Sequence, residues 1–295
     1  MNEARRVRLV EPYPMVRVTD RALTAADAGA VHVWDIDRTY LDTRFSQLKH
    51  LVGTFFELAI DKRDLPGTVE LLHALRNGPT GREHRPLYFV SASPPQLARA
   101  VERKMLLDGV EWDGIAYKDQ ARLLGGGNVS QLREQVGFKL AALLALAAEL
   151  PDGARLHLYG DDLEKDPLIY CLFADAAAGR LRSDALAAAI ASQGTRPRYV
   201  AALVRQAAAT PPRDLVAGVH IRLERAPDGA TIARYDARVR GYATWGAAAR
   251  SLAGDGLISA DAAEHVVAVA GDAPIRTGKA DTPADGAWLP MATKP

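Results

Sequence analysis

The chain has 295 residues, 48% of them hydrophobic, and its 37 basic and 36 acidic side chains leave a formal net charge of +1. That length and composition suit one large α/β domain with a smaller appendage, and the near cancellation of charge gives no support for the basic footprint of a nucleic-acid binder. The single cysteine, Cys171, excludes an intramolecular disulfide framework and a multi-cysteine zinc site.

In chain order, Met1 to Arg8 is charged and is followed by Pro12 and Pro14, so no signal-peptide core is present, and no apolar run is long enough to span a membrane. These features, with the lone cysteine, predict a cytoplasmic protein. Residues 1–30 alternate weakly and read as an N-terminal arm or a short edge strand. Val31 to Trp34 then reads as a buried strand running into Asp35-Ile36-Asp37-Arg38-Thr39. Phe45 to Ile60 has a helical period, and Leu65-Pro66-Gly67-Thr68 opens a second helix that ends at Asn77-Gly78-Pro79.

Leu87 to Val90 is a second buried strand, followed by Ser91-Ala92-Ser93-Pro94. There Ser93 suits a helix N-cap and Pro94 the first helical position, with Leu97, Val101 and Met105 recurring after them. Trp112 to Tyr117 reads as a third strand and Gly125-Gly126-Gly127-Asn128 as a loop that lacks any phosphate-binding glycine spacing. Phe138-Lys139-Leu140 leads into a helix reaching about Leu150, and a fourth strand, Leu156 to Tyr159, ends in Gly160-Asp161-Asp162-Leu163-Glu164-Lys165-Asp166-Pro167. Helical sequence continues from Leu168 to about Ala208 with one break near Gly194, and Cys171 falls in its apolar part as core filler.

Leu215 to Leu223 is expected to be the last core strand. From Thr244 to about Ala270 the pattern is helix, Asp255-Gly256 turn and a second helix capped by Ser259. The expected organisation is an arm over 1–30, a core over 31–225, a helical appendage over 226–270 and a loose tail over 271–295. Strands alternating with helices predict a mostly parallel sheet covered on both faces, with ligands bound outside the carboxyl ends of the strands.

Those strand ends collect Asp35, Asp37, Ser91, Lys139, Asp161, Asp162 and Asp166. Ionised side chains are rarely buried without a partner, a metal or a role, and these types suit phosphoryl transfer. One aspartate can attack phosphorus, and a carboxyl group two residues on can protonate the leaving alcohol and then deprotonate water. Clustered carboxylates need a hard divalent cation, and oxygen donors favour Mg²⁺ over zinc. A lysine offsets charge, while a serine hydroxyl and nearby backbone amides hold phosphoryl oxygens. Ser93 and Lys118 are the rivals of Ser91 and Lys139. His32 and His157, alternating within strands, read as packed or solvent-facing rather than as ligands.

In that order the motifs resemble those of the haloacid dehalogenase-like phosphohydrolases. Asp35-Ile36-Asp37-Arg38-Thr39 is similar to the first motif, Ser91 to the second, Lys139 to the third, and Gly160-Asp161-Asp162 with Asp166 to the fourth. Within that superfamily, Ser91-Ala92-Ser93-Pro94 and Glu164 to Tyr170 look most like the actin-patch-type phosphatidate phosphatases. Arg38 and Asp162 depart from the residues usual there.

The resemblance implies a Rossmann-like core, here with little or no cap, and a Mg²⁺-dependent phosphatase acting on a phosphomonoester through an aspartyl phosphate. It makes Asp35 the nucleophile, Asp37 the general acid/base, and Asp35, Asp37, Asp161 and Asp162 the metal set. Ser91, Ala92 and Lys139 would hold the phosphate, with Thr39 and Asp166 in support. A phosphorylated substrate, large if no cap seals the site, is the expected partner. A phosphotransferase, or a binding or scaffold protein on the same core, are the competing readings.

Overall fold

The strand carrying Asp35 is the centre of the sheet in the computed structural model, which describes residues 6–10, 13–19, 21–36, 39–40, 65–92, 98–119, 135–225, 229 and 232–277. The strands are β1 (Arg6–Val10), β2 (Met15–Thr19), β3 (Gly29–Asp35), β4 (Leu87–Ser91), β5 (Gly114–Lys118), β6 (Ala154–Asp161), β7 (Val216–Arg222), β8 (Val239–Tyr242) and β9 (Ile275–Thr277). They form one sheet in the order β1-β2-β5-β4-β3-β6-β7-β8-β9. The six strands from β5 to β8 in that order are mutually parallel, and an antiparallel strand or hairpin closes each edge.

The chain leaves β3 for β4 and β5 on one side, then crosses back to lay β6, β7 and β8 on the other. That reversal is the switch point of a Rossmann-like sheet, and it opens a crevice at the carboxyl ends of β3 and β6. Asp35 and Asp161 are the last residues of those two strands.

Alternation along β3 divides the core. Val31 and Val33 face one hydrophobic cluster with Leu156, Leu158 and the helices α3 (Val136–Ala147), α4 (Asp166–Ala177), α5 (Ser183–Ser192) and α6 (Pro197–Ala209). Trp34 and Ile36 face the other, with α1 (Thr68–Asn77), α2 (Ala98–Leu107), α7 (Trp245–Gly254) and α8 (Ala260–Ala270). Asp35 therefore continues the Val31, Val33 face, beneath α3.

The carboxyl-terminal helices are part of this core. Trp34 and Trp245 have ring centroids 4.9 Å apart, and both helices begin on side-chain caps, Thr244 accepting from the Ala247 amide and, as expected, Ser259 from the Ala262 amide. The two helices approach so closely at Gly246 that an added Cβ would lie 3.1 Å from the Val267 Cα.

Several elements differ from the sequence expectation. The arm is a hairpin whose second strand pairs antiparallel with β5. Leu215 to Leu223 is a core strand but not the last, because β8 pairs parallel beyond it and β9, inside the expected loose tail, pairs with β8. The helical run after Asp166 breaks at Gly179 as well as near Gly194, both glycines having positive φ. The expected helix over Phe45 to Ile60, the Gly125 loop, and Asp37, Arg38, Ser93 and Pro94 lie outside the described residues. Among the described residues, no helix is long and apolar enough to cross a membrane.

Candidate active site

Asp35 is wholly buried at the end of β3, and the Ile36 amide donates to the Val90 carbonyl at 3.0 Å, so sheet pairing fixes the backbone on both sides of it. Ser91, also wholly buried, ends the neighbouring β4. From the opposite direction Lys139, in the first turns of α3, reaches the same point: its Nζ is 2.9 Å from Asp35 Oδ1 and 3.0 Å from Glu164 Oε2, and it also bonds Asp166 Oδ1. Lys118, its rival in the sequence, is the buried last residue of β5, while Lys139 is the lysine beside Asp35.

The loop between β6 and α4 supplies the other acids. Asp161 Oδ1 accepts from the amides of Leu163 at 2.7 Å and Glu164 at 2.8 Å, which curls the loop back over the strand end. Asp166 opens α4, where the helix dipole favours an acid. Its Oδ2 accepts from the Asp161 amide at 3.2 Å while its other oxygen holds Lys139. Gly160 permits this approach, since a Cβ there would lie 2.7 Å from the Asp166 Cβ. Tyr170, one turn along α4, donates to the Tyr159 carbonyl at 2.9 Å and ties the helix to β6.

Electrostatics set the protonation states. Burial disfavours the Lys139 ammonium, but Asp166, Asp35 and Glu164 overcome it and hold its pKa well above the usual lysine range. Burial, then Asp166 and Glu164, push Asp161 up to about 8. Burial also raises Asp166 to about 6, against the opposing pull of Lys139. The other oxygen of Asp161, Oδ2, is buried without a hydrogen bond. A buried carboxylate with a raised pKa and an unmet oxygen is short of positive charge, which is the condition a divalent cation satisfies.

Asp35, Glu164 and Asp166 each offer an oxygen within 4.8 Å of the others, an acidic cluster that could hold a metal. Lys139 stands among those three carboxylates, and Asp161 Oδ2 is a further buried oxygen that accepts no hydrogen bond among the described residues. Of the residues expected from the sequence, Asp35, Lys139, Asp161 and Asp166 come together.

Asp162 does not join them. It accepts from the amides of Glu224 at 2.7 Å and Arg225 at 2.9 Å, and Arg225 Nη2 donates to the Leu163 carbonyl at 2.8 Å, so Asp162 fastens the acid loop to the loop after β7. Both of its oxygens accept from these loop amides, a structural role beside the metal role expected of it from the sequence. Thr39 is buried, and among the described residues its hydroxyl makes no hydrogen bond. Glu164 was not singled out in the sequence. Its one signal was its place in the acid loop, three residues after Asp161 and two before Asp166.

Among known families, the model of the phosphatidate phosphatase APP1 catalytic domain matches residues 31–183, just over half of the chain and the segment that carries Asp35, Ser91, Lys139, Asp161, Glu164 and Asp166. No curated protein and no solved structure matches.

Proposed function

The chain belongs to the phosphatidate phosphatase APP1 catalytic-domain family, a phosphatase family, and from that premise we propose that it is a haloacid dehalogenase-type, Mg²⁺-dependent phosphohydrolase acting on a phosphomonoester. The observation that carries this reading is the buried Asp35 carboxylate, ion-paired to Lys139 at 2.9 Å at the switch point of the sheet. A carboxylate held there by a charged lysine is a nucleophile kept ionised beside a cation that attracts phosphate.

In the proposed reaction an Asp35 oxygen attacks phosphorus, and the ester bond breaks as Asp37 gives its proton to the leaving alcohol. Asp37 then takes a proton from water, whose oxygen attacks the same phosphorus, releasing phosphate and restoring the Asp35 carboxylate. Ser91 and the Ala92 backbone hold the phosphoryl oxygens, and Lys139 offsets their charge. Asp166 orients Lys139, and the Asp161 amide holds Asp166 in turn. Asp35, Asp161 and the Asp37 carbonyl would be the oxygen donors for Mg²⁺, which would supply charge neutralisation at the phosphoryl group.

Phosphatidate, named in the family's description, is the first substrate to test, and Arg38 is a candidate contact to its headgroup. The sequence holds no large insertion after Thr39 or Ser91, so a bulky phosphorylated substrate could reach the site. The test is hydrolysis of a panel of aryl, lipid, nucleotide and protein phosphates with Mg²⁺ and with chelator. Mg²⁺-dependent release of inorganic phosphate is expected. An enzyme inert to the whole panel, or one indifferent to chelation, contradicts the proposal.

A further inference from the structure

Lys139 is enclosed by carboxylates. Its Nζ donates to Glu164 and Asp166 and stands 2.9 Å from Asp35 Oδ1 in an ion pair, so three acidic side chains occupy the space around the ammonium. If Lys139 is to bind a phosphoryl oxygen, as the proposed phosphatase reading requires, one of these acceptors must withdraw.

The three are not equally placed to do so. Asp35 and Asp166 are wholly buried, one at a strand end and the other at the start of a helix, where Asp166 also accepts from the Asp161 amide. Glu164 stands in the loop between β6 and α4, and its side chain is 15% exposed. Its side chain also accepts from Gln135, whose Nε2 donates to Glu164 Oε1 at 2.8 Å from just before α3. Its backbone is held separately, by its amide on Asp161 Oδ1, so the side chain can turn outward without dismantling the acid loop.

We infer that Glu164 is a carboxylate latch on the phosphate site: in the free protein it occupies the place at Lys139 that a phosphoryl oxygen takes, and substrate or product phosphate must displace it. Rest and turnover then share one constellation, with Lys139 never lacking an acceptor. The latch keeps the ammonium satisfied when the site is empty, and its negative charge opposes entry of any anion. Glu164 is thus a residue that sets affinity for phosphate, distinct from those that perform the displacement. The inference rests on the phosphatase reading for the identity of the displacing group.

The test is calorimetric binding of inorganic phosphate, in Mg²⁺, to the wild type, Glu164→Gln, Glu164→Ala and Glu164→Asp, together with aryl phosphate kinetics. Glu164→Gln keeps the shape and removes the charge, and should bind phosphate about tenfold tighter, the size of one partly exposed charge pair. KM should fall by a similar factor and kcat by less, because product leaves more slowly. Glu164→Ala should shift affinity in the same direction, so the expectation stands if the Gln variant does not fold. Glu164→Asp, which retains the charge, should stay nearer the wild type. Phosphate affinity unchanged or weakened in both neutral variants, or kcat falling at constant KM, would overturn the latch. A wild type that binds phosphate but hydrolyses no ester defeats the phosphatase reading instead, and the latch is then still decided by the affinity ratio.

Discussion

Two buried polar groups share the central strands, and they treat charge in opposite ways. At the carboxyl ends of β3 and β6, Asp35, Glu164 and Asp166 surround Lys139, with Asp161 beside them. Midway along the strands, on the face under α7, His32, His157 and His220 lie in a row. His32 Nδ1 meets the Tyr159 hydroxyl at 3.1 Å, His157 Nδ1 meets His220 Nε2 at 3.3 Å, and His220 Nδ1 meets the Tyr242 hydroxyl at 3.1 Å. Burial lowers the pKa of all three histidines, His157 to about 4, so the row is neutral at physiological pH.

The row meets most of its needs internally by pairing rings and hydroxyls, as packing does. The acid group keeps the Lys139 ammonium charged among its carboxylates and leaves Asp161 Oδ2 without a hydrogen bond among the described residues, as a binding site does. His32 and His157 are buried and paired with neighbouring rings and hydroxyls, the packed alternative of the two that the sequence left open. Burial does not separate a structural polar cluster from a functional one; an unmet valence in an excess of one charge does.

The largest effect expected from breaking this contrast is at Lys139. Lys139→Met removes the shared ammonium from three carboxylates and should cost about 3–5 kcal/mol in urea unfolding, with loss of activity. A variant as stable as the wild type would show that the acid group needs no internal cation.

The pH profile comes next. The folded-state pKa of Asp161 is raised from 3.8 to about 8, so the metal-free native state holds a proton that the unfolded chain releases. Stability therefore declines as pH rises through that window. His157 is lowered from 6.5 to about 4, so its contribution is present above 6.5 and is lost as pH falls toward 4. Thermal melting without metal should fall on both sides, Mg²⁺ should lift the alkaline arm, and Asp161→Asn should flatten that arm and abolish the Mg²⁺ shift. A metal-free profile that does not decline toward pH 8 counts against an unmet charge at Asp161.

A smaller effect is expected in the histidine row. His32→Phe leaves the Tyr159 hydroxyl without its ring partner and should cost about 1–3 kcal/mol, with hydrolysis per folded molecule unchanged. Lost activity at retained stability would mean that the row does more than pack. Smallest is Asp162→Ala, which frees the loop after β7. It should cost about 1 kcal/mol, with the Mg²⁺ concentration needed for half-maximal activity unchanged. A marked rise in that concentration would place Asp162 in the metal set.

The sequence shows the interior of this protein better than its edges. Val31 to Trp34, Leu87 to Val90 and Leu156 to Tyr159 are buried on both faces and read as apolar runs, so the central strands and the aspartates that end them were legible. β8 (Val-Arg-Gly-Tyr) and β9 (Ile-Arg-Thr) are short and mixed, and they exist through pairing with a neighbour that the local pattern does not name. Asp161 ends β6 and Asp162 follows it, and only their long-range partners separate the one in the cluster from the one clamping a loop. Glu164 looked like a generic loop acid because its importance lies in reaching Lys139, 25 residues away along the chain. Long-range geometry of that kind has no local signature.

The central claim is that Asp35 is the attacking group, and the most direct measurement is hydrolysis of an aryl phosphate by Asp35→Asn beside the wild type at saturating Mg²⁺. Asparagine keeps the shape and the place beside Lys139, so folding is preserved and the nucleophile is lost. The account predicts a fall in kcat of about 10⁴-fold or more with an unchanged fold. Wild-type turnover by Asp35→Asn would contradict it.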